Sequence, residues 1–355
     1  MITDARVFED AYLPRELMYR EGAVEELSRA FDPALDGVRA DDVLIAGPSG
    51  VGKTVLARHT LGKLEAYAAV DHAHIECLGT TTGEVLRTAL HEHRTPVDVA
   101  LNTPVDELRE QLRDAVDQPY ILVLDEADAL PNTETLEYVT HVPQVSVVAI
   151  CHDAERWLSR VPQSFRQSVS TPIRLERYGV DELSSILRAR ADQGLPPDVV
   201  TDDQLCTIAD EVAGVARYGI QALRSAAELA TERGHHRIRD VDVDDSFERA
   251  QHRIRQANLR SLPFHHHTLY ALIHGAGEIS ASDLHTRYEE LSERVYYGHD
   301  LTPIGRRSRR NKIAKLQEYD LIEHEGPPQN RVYRVLDKDI EPPIDAIGVD
   351  QHAAE

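Results

Sequence analysis

The sequence predicts an α/β fold built on a parallel sheet with a phosphate-binding loop, followed by a helical lid and a C-terminal winged helix. Three observations carry this prediction. The apolar stretch Val43–Ala46 runs directly into Gly47-Pro48-Ser49-Gly50-Val51-Gly52-Lys53-Thr54, a glycine-rich turn between a strand and a helix. A second apolar run, Tyr120–Leu124, ends in Asp125-Glu126-Ala127-Asp128. Beyond residue 260 the pattern reads helix, helix, helix, hairpin, the element order of a winged helix.

The loop 47–54 satisfies G-x-x-x-x-G-K-[ST] at every fixed position. Gly50 and Gly52 allow backbone N–H groups to turn inward around phosphate oxygens, which a Cβ would hinder. Lys53 supplies a cation for the terminal phosphates, and the Thr54 hydroxyl can ligate Mg²⁺. The helix opening near Lys53 aims its positive end at the same anion. Gly47, Pro48, Ser49 and Val51 complete the cradle, so ATP or ADP with Mg²⁺ are the expected cofactors. Four successive apolar residues before Asp125 suit a central parallel strand covered on both faces. Its carboxyl end is where open α/β sheets place their sites. There Asp125 is expected to hold the Mg²⁺ shell and Glu126 to polarise the attacking water. The 71 residues between Thr54 and Asp125 leave room for one strand and two helices.

Composition narrows the class. With 355 residues the chain exceeds one small core, and 41% apolar residues without a membrane-length run indicate a soluble, cytoplasmic globular protein. Residues 1–10 carry acids and no apolar run, so no secretory signal is expected. Cys77, Cys151 and Cys206 are odd in number and widely spaced, which fits reduced thiols without a disulfide framework or a zinc pattern. The net charge is −22, and of 39 basic residues only Lys53, Lys63, Lys312, Lys315 and Lys338 are lysines. Abundant carboxylates with few lysines fit solubility in concentrated cytoplasmic salt, as in halophiles.

In chain order, residues 7–40 read as helical and amphipathic. Lys53–Tyr67 is the loop's helix, Ala73–Leu78 a second strand, Thr82–His93 a helix and Pro96–Pro104 a polar insertion. Val105–Val116 has helical spacing, and Val145–Ile150 is a further buried strand ending in Cys151-His152-Asp153. After Arg177–Gly179, helices are expected over 181–190, 202–213, 218–233 and 241–256. Phe264–His274 and Ser280–Val295 read as helices, the latter capped by Ser280. Thr302-Pro303 reads as the start of a helix reaching Tyr319, and 321–324 with 331–335 as a hairpin. His265-His266-His267 reads as a helix start rather than a metal site, and Trp157 as core.

The segment 305–316 holds six basic residues and no acid. Its place in the recognition helix of a winged helix makes Arg306, Arg307, Arg310 and Lys312 candidate DNA contacts. Arg309 falls near the Ile313/Leu316 side, so not every base can face DNA. Arg331 and Arg334 on the hairpin would follow the adjacent backbone as a wing. In molar salt phosphate attraction weakens, so base contacts and DNA shape would carry more of the binding.

Together these segments resemble the archaeal origin-recognition initiators, AAA+ ATPases related to the largest eukaryotic origin-recognition subunit and to the cell-division-cycle helicase loader. The resemblance covers about residues 7–336. Tyr12-Leu13-Pro14 and Arg20-Glu21 are similar to the motif flanking the adenine, which places Tyr12 and Pro14 at the base. Gly47–Thr54 and Leu122–Asp128 correspond to Walker A and Walker B. Gly214-Val215-Ala216-Arg217 is similar to the family's Gly-Asp-Ala-Arg, which makes Arg217 the sensor-2 arginine on the lid. Ser282–Tyr288 and Lys315–Ile322 resemble its winged-helix segments. Two positions depart from the pattern. His152 stands where a sensor-1 asparagine is usual, and could bond water or γ-phosphate or simply cap the strand. In place of Asp-Pro-Arg-Val the chain has Pro162-Gln163-Ser164-Phe165-Arg166, which puts nucleotide turnover in question more than nucleotide binding.

The resemblance implies an AAA+ core at 1–178, a helical lid at 179–258, a winged helix at 259–340 and a flexible acidic tail at 341–355. It further implies an ATP-regulated initiator with weak ATPase turnover that binds origin repeats in double-stranded DNA, self-associates there and recruits the replicative minichromosome-maintenance helicase. The departures at His152 and Arg166 leave a second reading open, a nucleotide-locked paralogue acting as a DNA-binding regulator. A clamp-loader-like ATPase would share core and lid but not the basic winged helix.

Overall fold

The computed structural model describes residues 1–68, 70–169, 172–299, 301–327 and 330–344. Of the acidic tail, 345–355 lie outside the described residues. The chain divides into two compact units, 1–246 and 247 onward.

The first unit starts with a short 3-10 turn at Ala5–Phe8 and helix α1 (Glu21–Leu35). The helix expected over 7–40 is thus confined to its second half. Residues 9–20 run as turns and extended chain, because their polar groups are engaged by other elements of the unit, described below. Then follow β1 (Val43–Ala46), α2 (Lys53–Glu65), β2 (Asp71–Glu76), α3 (Thr82–Glu92), α4 (Val105–Ala115), β3 (Tyr120–Asp125), α5 (Thr135–Thr140), β4 (Val145–Cys151), α6 (Ala154–Leu158), α7 (Gln163–Ser168) and β5 (Ile173–Arg174). One strand and two helices separate α2 from β3, as the spacing predicts. The two-residue β5 and the short α5, α6 and α7 carry too little periodicity to be read from sequence.

All five strands are parallel in the order β2-β3-β4-β1-β5. The inner strands are mostly apolar, because helices cover both faces. On one face Leu44, Leu122, Leu124 and Val147 pack with α3, α4 and Trp157. On the other, Ile45, Ile121, Val123 and Val148 pack with α1 and α2. Trp157 is core, as predicted, and its indole N–H donates to the Ala127 carbonyl at 3.1 Å. The buried Asp42 carboxylate ties strand to strand, accepting from Val147 N at 2.9 Å and Arg39 Nη2 at 2.7 Å.

Helices α8 (Val180–Gly194), α9 (Asp202–Glu211), α10 (Ala216–Glu232) and α11 (Asp240–Asp244) complete this unit. The helix expected over 241–256 is two, α11 and α12 (Ser246–Ser261), with the break at Asp245. The buried Asp242 carboxylate holds α11 by accepting from Arg233 at 2.9 Å and His235 at 2.8 Å. Most of α12 groups with the second unit, whereas the sequence reading carried the lid to residue 258.

The second unit adds α13 (Phe264–Ala276), β6 (Glu278–Ser280), α14 (Ala281–Val295), α15 (Arg306–Glu318), β7 (Ile322–Glu325) and β8 (Val332–Val335). Its sheet is antiparallel in the order β6-β8-β7. Ser280 caps α14 as predicted, accepting from Asp283 N. Helix α15 starts at Arg306 behind a Gly305 cap, not at Thr302-Pro303. Ile304 N donates to the Tyr288 hydroxyl at 3.1 Å and holds that approach outside the helix.

His265–His267 lie in the first turns of α13, as the sequence reading placed them. His266 is 1% exposed. Burial, reinforced by Lys312 and the flanking histidines, pushes its pKa down to about 3. The unfolded chain therefore takes up a proton near pH 6.5 that the folded chain refuses, so stability is full above that pH and falls as the solution is acidified. At pH 5 the loss is about 2 kcal/mol. Calorimetry should show a lower melting temperature for the second unit at pH 5 than at pH 7, and His266→Leu should flatten that dependence. An unchanged pH slope in the variant would refute the assignment.

Candidate nucleotide site

A cavity of about 1160 Å³ opens at the carboxyl ends of β1 and β3, in the first unit. It is lined by Ser49 to Thr54, Asp125, Glu126, His152 and Arg217, with Tyr12 and Pro14. The expected nucleotide-site residues thus line this cavity except Gly47 and Pro48, which lie at the root of the loop. Lys53 Nζ donates to the Gly47 carbonyl at 2.8 Å and to the Pro48 carbonyl at 2.7 Å, closing the loop on its own backbone. Burial lowers the Lys53 pKa, opposed by the carboxylates of Asp125, Asp128 and Glu126.

Gly50 has φ +75°, and a Cβ there would lie 2.7 Å from Val215 Cγ1 and 3.3 Å from Arg217 Cβ. The absent side chain lets the start of α10 approach the loop, and Arg217 N donates to the Gly50 carbonyl at 3.2 Å. Gly214 has φ +74°, and a Cβ there would come within 2.1 Å of the Tyr178 carbonyl oxygen. Side-chain-free contact at both positions is what sets Arg217 at the mouth of the phosphate loop.

Thr54 Oγ1 donates to Asp125 Oδ2 at 2.7 Å, which brings together two hard oxygen donors from residues 71 apart. This pair fits Mg²⁺, which takes one or two protein oxygens and completes its shell with phosphate and water. Glu126 follows in a left-handed conformation, φ 51°, an uncommon geometry for a non-glycine residue and a frequent one at functional sites. At the end of β4, His152 N donates to Asp128 Oδ2 at 3.2 Å, and its Nδ1 lies 3.4 Å from the same oxygen. The histidine thus sits in the cavity wall, at the position the sequence reading assigned to sensor 1.

Sequence reasoning missed His74. Its Nε2 donates to Asp125 Oδ2 at 3.2 Å. The period-2 pattern of β2 contained the signal. Ala73 and Ile75 enter one core layer, which leaves His72, His74 and Glu76 on the opposite face, next to a β3 register that pairs Glu76 with Asp125. Burial would raise the Asp125 carboxyl, but the His74 and Thr54 hydrogen bonds, the His74 charge and the Glu126 amide outweigh it, so the net shift is downward. The carboxylate consequently stays ionised to lower pH than an ordinary aspartate.

The N-terminal segment is fastened to the lid helices. Thr3 N donates to the Gly194 carbonyl at 2.9 Å, Arg190 Nη1 to the Val7 carbonyl at 2.8 Å, and Gln221 Nε2 to the Phe8 carbonyl at 2.7 Å. The Arg190 guanidinium lies 4.3 Å from the centre of the Tyr12 ring, whose hydroxyl donates to Gln193 at 2.6 Å. Pro14 contributes a carbonyl that accepts from His59 Nδ1 at 3.2 Å. Arg20 packs 4.0 Å over the Tyr178 ring and donates to the Glu176 carbonyl. None of these partners was legible in advance, since they are 45 to 213 residues apart.

Comparison with known proteins follows this geometry. A family model described as an AAA ATPase domain matches residues 16–150, and one described as a Cdc6 AAA+ ATPase-type lid domain matches 184–248. An ORC1-type DNA replication protein 9 of Halobacterium salinarum is 31% identical over 342 residues, covering 95% of this chain and 94% of that one. The chain belongs to the ORC1-type DNA replication protein family. A second Halobacterium salinarum member, ORC1-type DNA replication protein 1, is 32% identical, covering 81% of this chain and 95% of its own. Among solved structures, the Aeropyrum pernix ORC1 protein in complex with DNA shares the fold with a TM-score of 0.73 and 24% identity, over 94% of this chain and 93% of that one. The Aeropyrum pernix ORC2 protein, in ADPNP and ADP complexes, aligns with a TM-score of 0.63 and 24% identity, over 95% of each chain. The AAA+ core and the Cdc6-type lid expected from sequence are therefore present.

The basic helix α15 divides its arginines between two faces. Arg306, Arg307 and Arg310 are exposed, in line with Asn311 and Ala314. Arg309 is 3% exposed and internal: it donates to the His285 carbonyl at 3.2 Å and to Glu289 at 2.6 Å, 4.7 Å over the Tyr288 ring. Lys312 is half-buried with its pKa lowered by burial, and Lys315 is buried against Glu318 and Tyr319. Arg331 is half-buried at the entry to β8, where its carbonyl accepts from Ala281 N. Arg334, expected to follow DNA, instead meets Glu323 at 2.7 Å, Glu325 at 2.9 Å and Glu278 at 3.8 Å on its own sheet. No helix among the described residues is long and apolar enough to cross a membrane.

His74→Ala should leave the fold intact and weaken nucleotide affinity in the presence of Mg²⁺ by roughly tenfold, through loss of the group that orients Asp125. Isothermal titration with and without EDTA checks this. An equal loss in EDTA would mean that His74 acts on the nucleotide or the fold rather than through the metal.

Proposed function

We propose that this chain is an ATP-regulated replication initiator that binds origin double-stranded DNA through a winged helix formed by its second unit. The observation that carries the proposal is the occurrence, in one chain, of the Lys53–Thr54–Asp125 phosphate site and an exposed arginine row on α15. The relatives' description as DNA replication proteins supports it, as does the DNA-bound Aeropyrum pernix neighbour. The order α13-β6-α14-α15-β7-β8 supports reading this unit as a winged helix, in which α15 would be the recognition helix.

In this reading the loop amides, Lys53 and Arg217 hold the phosphates, and Thr54 and Asp125 hold Mg²⁺. The metal supplies charge neutralisation for phosphoryl transfer. Glu126 orients the attacking water, His152 faces it from β4, and Tyr12 and Pro14 border the base. Arg306, Arg307 and Arg310 contact DNA, with Lys312 and Arg331 as lesser contributors because both are partly withdrawn from solvent. Recruitment of the minichromosome-maintenance helicase, self-association on origin repeats and a cytoplasmic, nucleoid-associated location belong to the same reading.

Two features favour the nucleotide-locked alternative. His152 occupies the sensor-1 position, and Arg166 lies exposed on α7, donating to the Val161 carbonyl at 3.3 Å, away from this chain's own cavity. Turnover assays on Glu126→Gln separate the readings. An initiator that hydrolyses ATP loses that activity, whereas a locked regulator behaves as the parent chain does.

Footprinting on DNA flanking the gene, in molar KCl with ADP and with ATP, tests origin binding directly. Discrete protection at repeated sites is expected. Replacing Arg306, Arg307 and Arg310 together by alanine should remove it and reduce the salt slope of binding by about three. Retention of full affinity by that triple variant would displace DNA binding from α15.

A further inference from the structure

The exposed groups nearest the lid arginine include one carboxylate that no role so far has used. Asp10 stands just after the first 3-10 turn, in the arm that α8 and α10 hold through Thr3, Val7 and Phe8. Its Oδ2 accepts from Arg217 Nη2 at 2.7 Å and from Arg217 Nε at 3.0 Å, the two N–H groups on one edge of the guanidinium. Both side chains line the same cavity as Lys53 and Thr54. The pair remains open to solvent, with Asp10 52% and Arg217 29% exposed.

We infer that Asp10 is a specificity-determining residue for the nucleotide site, an internal anion that competes with the terminal phosphate for Arg217 and thereby sets how strongly ATP is preferred over ADP. The inference rests on the proposed reading of Arg217 as a phosphate ligand. Its physical basis is simple. One guanidinium edge cannot give both of its N–H groups to a carboxylate and to a phosphate at once, and the two anions repel each other. A triphosphate carries an additional charged phosphoryl group that must find a cation beyond the loop amides and Lys53. The cost of displacing Asp10 therefore falls more heavily on ATP than on ADP. Because the arm is anchored at residues 3, 7 and 8, Asp10 can leave Arg217 by a side-chain rotation while the arm stays docked. An exposed ion pair is weak, so the effect is modest and reversible.

The test is calorimetric binding of ADP and of the non-hydrolysable triphosphate ADPNP to the full chain, at low and at molar KCl. Asp10→Asn should tighten ADPNP binding by about two- to fivefold at low salt while changing ADP affinity less. Asp4→Asn, which removes the same charge from the same arm without touching Arg217, should leave the ADPNP/ADP ratio unchanged. In an Arg217→Ala background the Asp10 substitution should have no effect on the ratio. Melting curves confirm that each variant is folded, and Asp10→Ser serves if the amide proves disruptive. Equal gains for both nucleotides, or a shift reproduced by Asp4→Asn, overturn the inference. If the parent chain binds neither nucleotide, the proposed nucleotide site itself fails, a separate result.

Discussion

The first unit depends on close backbone contact between the phosphate loop, the chain leaving β5 and the start of the lid. Gly214 lies against the Tyr178 carbonyl, and Gly50 against Val215 and Arg217, at distances that admit no Cβ. Both glycines also hold left-handed backbone conformations, so a side chain at either position would strain the turn and force the segments apart. Arg217, three residues from Gly214 and hydrogen-bonded to the Gly50 carbonyl, is positioned by both contacts.

The same economy appears in the electrostatics of the cavity. Asp125 is buried yet held below the usual carboxylate range, because Thr54, His74 and the Glu126 amide all donate to it. A carboxylate prepared in this way presents a fixed charge to a hard cation without first shedding a proton. The neighbouring acid, Glu126, sits on strained backbone, and the ammonium of Lys53 is withdrawn against loop carbonyls. Lys53, Asp125 and Arg217 thus each have a partner within the protein.

The second unit shows why a count of basic residues overstates the exposed positive surface. Of the six in 305–316, Arg309 and Lys315 are structural, packed on Tyr288 and Tyr319, and Lys312 is partly desolvated. Arg334 is neutralised by three glutamates. What remains is a narrow exposed row, Arg306, Arg307 and Arg310, on a protein of net charge −22. On the proposed reading, a surface this small would make few phosphate contacts and have a shallow salt dependence.

Whereas Arg217 was singled out only through the family resemblance, residue order alone was enough to reveal the phosphate loop, the acid-terminated strand and the helix-helix-helix-hairpin order of the second unit. Each is a local signal, written in consecutive residues or in one helical or strand period. The β5 edge, β6, the break between α11 and α12 and the start of α15 escaped, since two- or three-residue strands and single-residue breaks carry no period. The partners of Asp125, Tyr12 and Arg217 were decided by tertiary structure alone. His74, Arg190 and Asp10 reach them from other elements, and such contacts depend on which strand face and which arm lie adjacent after folding. The fate of each arginine in α15 was settled the same way, by which side of the helix found an aromatic ring to pack on.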